Sequence, residues 1–322
     1  MLKLGICEVN HDTYGQRLWR RGLRAANLLA MPSAPGDADI RRFESVMRDI
    51  CLSNRVARTT ERNRFNQLDR QVISALAKVY SATACLAVED WAVSSGLTAL
   101  EWYETLRNYY RDVWFTASDH ILFLFEVRSQ SKGTYIVEPD GTPIQYISPP
   151  FVVSLVEAPH FAFPVNRFLQ RSAMRAWKNS WAEKFQPPTE WSSLDLQQHW
   201  ISIPPFTMRQ LPLIHPEVLR LRNERFRLRK HSVFSPLPIP VDVIRTMNIL
   251  NLAYFSEPQL QVAIRSVYQS LRIGGIWIVG RTLDKEAFCQ EVTVFRKTLE
   301  GWEVLFRVGG GSEIEQIVNR SA

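Results

Sequence analysis

The chain of 322 residues is long enough for two domains of roughly 150 residues, or for one α/β domain with an added helical part. Hydrophobic residues make up 46% and charged residues 22%, which supports a packed core and excludes a disordered chain, a collagen-like repeat and a disulfide mini-protein. Lysine and arginine number 39 against 32 acids, a net charge of +7 that is mostly arginine.

The longest apolar stretch, Ile121 to Phe125, is far short of the roughly 20 residues that cross a bilayer. The opening "MLKLGICEVNHDTYG" turns polar within nine residues, unlike a signal segment. Cys7, Cys51, Cys85 and Cys289 are scattered singly with no Cys-x-x-Cys, so neither a metal site nor a disulfide framework is expected. These features predict a soluble, cytoplasmic protein with reduced cysteines.

Residues 1–80 read as an N-terminal helical layer. "QRLWRRGLRAANLLA" sets Leu18, Trp19, Leu23, Ala26 and Leu29 at three- and four-residue spacing. "MPSAPGDAD" breaks that helix, and Asp39 is placed to cap the next. "IRRFESVMRDICLSNRV" and "RNRFNQLDRQVISALAKVYSAT" continue the helical pattern.

From Cys85 the pattern changes to an α/β domain over 81–322, with an insertion at about 121–220. "ACLAVEDWAV" has the continuous apolar character of a buried parallel strand. "TALEWYETLRNYYRD" follows as a helix and "DVWFTASD" as a second strand, a parallel crossover unit. Residues 121–150 suggest a β-hairpin around "EPDGTP", residues 165–185 a helix, and the proline-rich stretch 186–216 an irregular insertion. "RFRLRKHSVF" and "VDVIRTMNILN" read as strands, "EPQLQVAIRSVYQSL" as a helix, and "RIGGIWIVGRT" as a strand entered through a glycine pair. "EVTVFRKTLEGWEVLFRVGGG" closes the chain as an antiparallel hairpin. Repeated strand–helix units imply an open, mostly parallel sheet with helices on both faces.

The first strand–helix turn, Glu89 to Thr98, carries small residues where D-x-G-x-G-x-G has glycines: Asp90 is followed by Ala92, Ser94 and Gly96. Such a backbone can pass close to a ligand while a helix begins and offers free N–H groups. A plain capped turn, with Ser94 or Ser95 as the cap, is the other reading. Asp119, 29 residues after Asp90, closes the next strand, where an acid can accept both ribose hydroxyls or simply cap a turn.

From "RFRLRKHSVF" to "RIGGIWIVGRT" the chain resembles the second half of class I S-adenosylmethionine-dependent methyltransferases, and in particular the branch of the chemotaxis-receptor methyltransferases. The resemblance rests on Asp242 to Ile244, Asn248, the helix from Glu257 to Leu271 and the turn Leu271 to Gly275, and spans about 84–120 and 225–311. It implies a Rossmann-like, seven-stranded methyltransferase sheet with S-adenosylmethionine as cofactor. Asp90, Ala92, Ser94 and Gly96 would line the methionine end of the cofactor and Asp119 would hold the ribose. His231 and Ser232 would lie by the adenine, and Asn248 would face the methionine moiety or the acceptor. The chain departs from the family at two of the glycines, at Ser232 in place of an acid, and at "RIGG" in place of "PGG".

Methyl transfer is an in-line displacement, so the protein mainly aligns the acceptor and excludes water. A base is needed only for a protonated acceptor; His120, His231 and Tyr254 are the candidates. Three functions follow in order: methyl transfer to a small-molecule or protein acceptor, a non-catalytic binding module on the same fold, and nucleic-acid binding or modification. The last rests on basic charge, including arginines at 17, 20, 21, 24, 41, 42, 48, 55, 58, 62, 64 and 70, although six acids interrupt them. "HWISIPPF" with Trp177, Trp181 and Trp191 could form an aromatic lid or a packed cover, and Gly309 to Glu313 a phosphate loop or a flexible tail. The acceptor and the oligomeric state carry no signature.

Overall fold

A computed structural model describes residues 28, 32, 35–47, 50, 52–53, 58 and 60–320, apart from 130–132, 149–150, 157–163, 186–198, 222 and 284–288. The helix expected over 16–30 lies outside these residues apart from Leu28, as do Trp191 and the arginines at 17, 20, 21, 24, 48 and 55. The chain divides into two compact units, Met1–Thr60 with Ile121–Pro216 and Glu61–His120 with Glu217–Ala322. The unit boundary near residue 60 differs from the one expected near residue 80, because the two helices of that stretch bury their apolar faces in different cores.

In the first unit, α1 (Asp37–Met47) turns Phe43, Val46 and Met47 toward the core, and its Asp39 carboxylate reaches back to accept the Gly36 N–H at 3.0 Å. The insertion is a six-stranded antiparallel sheet. Its strands are β3 (Phe123–Ser129), β4 (Gly133–Val137), β5 (Pro143–Ser148), β6 (Phe151–Ser154), β7 (Ile201–Ile203) and β8 (Phe206–Pro212), in the order β6-β5-β4-β3-β8-β7. The irregular stretch expected at 186–216 therefore supplies two strands, since β8 pairs with β3 along its length. Residues of α1 pack on Leu124, Ile136 and Leu211 of this sheet. The helix α4 (Pro164–Ser180) brings in Trp177, which with Trp181 lies around Tyr135 at 5.1 and 4.9 Å. Both tryptophans are buried, so they form a packed cover and not a lid.

The second unit holds the expected α/β fold, a mostly parallel seven-stranded sheet with antiparallel strands at its C-terminal end. It contains α2 (Asn66–Leu76), β1 (Cys85–Trp91), α3 (Leu97–Arg107), β2 (Asp112–Asp119), α5 (Pro216–Leu221) at its start after the insertion, β9 (Phe226–Lys230), β10 (Val241–Met247), α6 (Glu257–Ser270), β11 (Leu271–Thr282), β12 (Gln290–Lys297), β13 (Trp302–Val308) and α7 (Glu315–Arg320). The strand order is β13-β12-β11-β10-β1-β2-β9. Counted along this unit it is 3-2-1-4-5-6-7 from the β9 edge, the doubly wound order whose direction reverses between the first and fourth strands.

Helix α3 covers one face, with Trp102 and Tyr103 against Phe115, which stacks on Phe226 at 5.3 Å. Helix α6 covers the other, burying Leu260, Ile264 and Val267 against Ile244, Trp277 and Val279. Each such side chain contributes about 1.5–3 kcal/mol. The start of α6 is closed by the Ser256 N–H donating to Gln259 Oε1 at 3.0 Å. No helix joins β9 to β10, which are linked by a loop over 231–240.

Candidate active site

Ligands in a sheet of this order bind outside the carboxyl ends of the strands where the order reverses, here between β1 and β10. After β1 the chain alternates in handedness: Ala92, Ser94 and Gly96 have φ of 62°, 58° and 79°. The small residues that stand in for glycines thus adopt the left-handed backbone that glycine favours, at a cost of roughly 1–3 kcal/mol for each non-glycine. Gly96 leads directly into α3, and a Cβ there would meet Val218 Cγ1 at 3.3 Å.

Asp119, at the end of β2, accepts the Ser94 N–H on its Oδ2 at 2.8 Å, and its own carbonyl accepts the His231 N–H at 3.0 Å. The ends of β1, β2 and β9 are tied together through this one residue. Ser232 makes a turn, its Oγ accepting the Phe234 N–H and its carbonyl the Ser235 N–H. The Trp91 and His231 rings lie 4.6 Å apart. Burial, and then Arg229, lower the His231 pKa to about 4, so the imidazole is neutral at pH 7.

Glu89 points to the same side as Trp91. Its Oε2 lies 2.8 Å from Arg229 Nη2, and burial outweighs that cation to raise its pKa to about 7. Asp90 points to the opposite side. It lies in register with Arg245 of β10, whose Nε and Nη2 donate to its two oxygens at 3.1 and 2.5 Å. Arg245 Nη1 reaches Asp69 Oδ1 at 2.9 Å, Nη2 also reaches the Thr98 carbonyl at 3.0 Å, and the Trp102 ring centroid is 4.2 Å from the guanidinium. Asp69, Asp90 and Arg245 are all buried. Burial lifts the Asp69 pKa to about 7 against the pull of Arg245, and raises Asp90 as well.

Across the reversal point Asn248 also has positive φ, 62°, which asparagine tolerates. Its N–H donates to the Gly280 carbonyl at 2.8 Å and its Oδ1 accepts the Thr282 N–H at 2.7 Å, anchoring it to β11. His120 and Tyr254 are both exposed. Asp242 lies at the amino end of β10, where it accepts the Ala87 N–H at 2.8 Å and pairs with Arg272 at 2.7 Å. It stabilises the β1–β10 pairing far along the strand from the reversal point. The Gly309–Gly311 turn packs against β12, with Ser312 N–H donating to Thr293 Oγ1 at 2.8 Å.

The predicted residues therefore form two groups. Ser94, Asp119 and His231 are joined by hydrogen bonds, while the Asp90 carboxylate is turned away into an ion network. No local sequence pattern marks Asp69, Glu89 or Arg229 as members of the site. For Arg245 a signal existed: a charge inside the fully buried strand "VDVIRTM" requires a partner. Among the described residues, no three His, Cys, Asp or Glu side chains are grouped as a metal requires, and no helix is long and apolar enough to cross a membrane.

No family model and no curated protein matches the chain. Solved structures do. An S-adenosylmethionine-bound amino pentose methyltransferase of calicheamicin biosynthesis from Micromonospora echinaspora is 9% identical over 80% of this chain and 80% of its own, with a TM-score of 0.32. An S-adenosylmethionine-dependent methyltransferase from Clostridium acetobutylicum is 10% identical over 80% of each chain, TM-score 0.32. A sugar N-methyltransferase from Streptoalloteichus is 9% identical over 81% of this chain and 79% of its own, TM-score 0.31. Other matches are longer, and the chain spans only 38% of an O-methyltransferase of neocarzinostatin biosynthesis. At these values the likeness carries no inference about activity.

Proposed function

We propose that the Glu61–His120 and Glu217–Ala322 unit binds S-adenosylmethionine and transfers its methyl group to a small-molecule or protein acceptor. The observation that carries this reading is the loop of alternating left-handed residues at 92, 94 and 96, tied to Asp119 where the strand order reverses. That backbone fits a nucleoside cofactor: the loop at Ala92, Ser94 and Gly96 would line the methionine end, the Asp119 carboxylate would hold the ribose, and His231 with Ser232 would flank the adenine. Asn248 would face the amino-acid end. Asp90 would act through Arg245, holding β1 against β10 and not touching the cofactor.

A bound sulfonium supplies an activated methyl group, so no protein nucleophile is required. The chain's residues orient the acceptor and exclude water, and a base is needed only for an acceptor that carries a proton. The neighbours named above lend the chemotaxis-receptor branch no support. The exposed thiols of Cys85 and Cys289 favour a reducing, cytoplasmic setting.

A second reading, a binding module without catalysis, is favoured by the commitment of both Asp90 oxygens to Arg245. Calorimetry with S-adenosylhomocysteine tests the first step. Micromolar binding, lost in Gly96→Trp and weakened at least tenfold in a folded Asp119→Asn variant, is expected. Absence of binding to folded protein would overturn the cofactor assignment; binding without turnover on any acceptor would favour the second reading.

A further inference from the structure

The densest basic stretch of the chain is residues 220–230, in which Arg220, Arg222, Arg225, Arg227, Arg229 and Lys230 accompany the single acid Glu224. The methyl-transfer reading makes no use of Trp114, Arg225 or Arg227. Strand β9 is an edge strand of the seven-stranded sheet. Phe226 is buried against Phe115 and Tyr103, so the two-residue period sends Arg225, Arg227 and Arg229 to the opposite face. There β2 presents Trp114, 37% exposed. The Arg225 and Arg227 guanidinium carbons lie 4.2 and 5.5 Å from the centre of its ring. Helix α6 covers this face of the sheet at β10 and β11, and after β9 the chain runs as a loop over 231–240 with no helix. Asp112 pairs with Arg225 and Glu89 with Arg229, whereas Arg227 donates only to the Glu224 carbonyl and has no carboxylate partner among the described residues.

We propose that this face of β2 and β9 binds single-stranded nucleic acid, with Arg225, Arg227 and Arg229 along the phosphodiester backbone and Trp114 stacking on a base. Arginines two residues apart on a strand recur about every 6.6 Å, comparable to the separation of successive phosphates on an extended strand. An exposed aromatic ring with arginines over its face suits an unpaired base, which would stack on the ring in place of Arg225 as that guanidinium turns to a phosphate, and not a base within a duplex. The inference is independent of methyl transfer.

The test is fluorescence anisotropy of the full chain with a labelled oligothymidylate of about 20 nucleotides. Three phosphate contacts predict a log–log salt slope of about −2, an affinity loss of about 18-fold between roughly 50 and 200 mM salt. Arg227→Glu, at an exposed position, should weaken binding at least tenfold. Trp114→Ala should weaken it at least fivefold while leaving binding of inorganic polyphosphate, a charge-only probe, unchanged. Melting temperatures show whether each variant is folded; if Trp114→Ala is not, Arg227→Glu decides. No binding at the lower salt, an Arg227→Glu variant of undiminished affinity, or a folded Trp114→Ala variant that affects both probes alike would overturn the proposal. So would tighter binding to phosphatidylserine vesicles or to a polyglutamate peptide than to the oligonucleotide.

Discussion

Replacing Ala92 with glycine should stabilise the protein. Ala92 has φ 62°, a strained conformation costing about 2 kcal/mol for a residue with a Cβ, within a range of roughly 1–3. Glycine relieves that strain but adds about 0.75 kcal/mol of unfolded-state entropy, and loss of a half-buried methyl group costs about 0.4 kcal/mol more. The balance is about 0.9 kcal/mol in favour of the variant, a rise of roughly 2–4 °C in melting temperature for a unit of this size. Asn248 provides the contrast. It has the same φ, but asparagine tolerates it and its Oδ1 accepts the Thr282 N–H at 2.7 Å. Asn248→Gly should therefore lose about 1–2 kcal/mol, since that N–H is left without its acceptor. Scanning calorimetry of both variants beside the parent chain measures the two shifts. A lower melting temperature for Ala92→Gly, or shifts of the same sign in both, would refute the account of this loop as a glycine backbone carrying the wrong side chains.

Two further outcomes follow from the buried charges. Arg245→Met leaves Asp69 and Asp90 buried without their shared cation and should cost about 3–5 kcal/mol in urea unfolding; a loss below about 1 kcal/mol would mean the network does not hold β1, β10 and α2 together. Glu89 has a folded pKa of about 7 against an ordinary value of 4.5. Because the folded value is the higher one, folding takes up a proton in that window, and the contribution of Glu89 to stability falls as pH rises from 4.5 to 7. Glu89→Gln should accordingly gain on the parent chain between pH 5 and pH 8 in urea titrations, and a constant difference would contradict the assignment.

Much of the parallel sheet is legible in the sequence. A strand buried on both faces reads as a continuous apolar run, as in "IWIV", and α3 and α6 bury one stripe at helical spacing. The insertion is harder to read. The stretch from 199 to 216 is rich in proline and polar residues, yet β8 pairs with β3 residues about 85 positions earlier, which no local pattern announces.

The site divides along the same line. A loop of small residues after β1, two acids just before the end of β1 and one at the end of β2 are legible in the chain alone, because those are properties of adjacent residues. Whether an acid faces a ligand or the core is not such a property. Asp90 and Glu89 are neighbours on one strand and point to opposite faces, and Arg245, 155 residues from Asp90, becomes its partner only when β10 pairs beside β1. Parallel pairing and burial gave one carboxylate to an ion network and left the next, Asp119, to hold the loop.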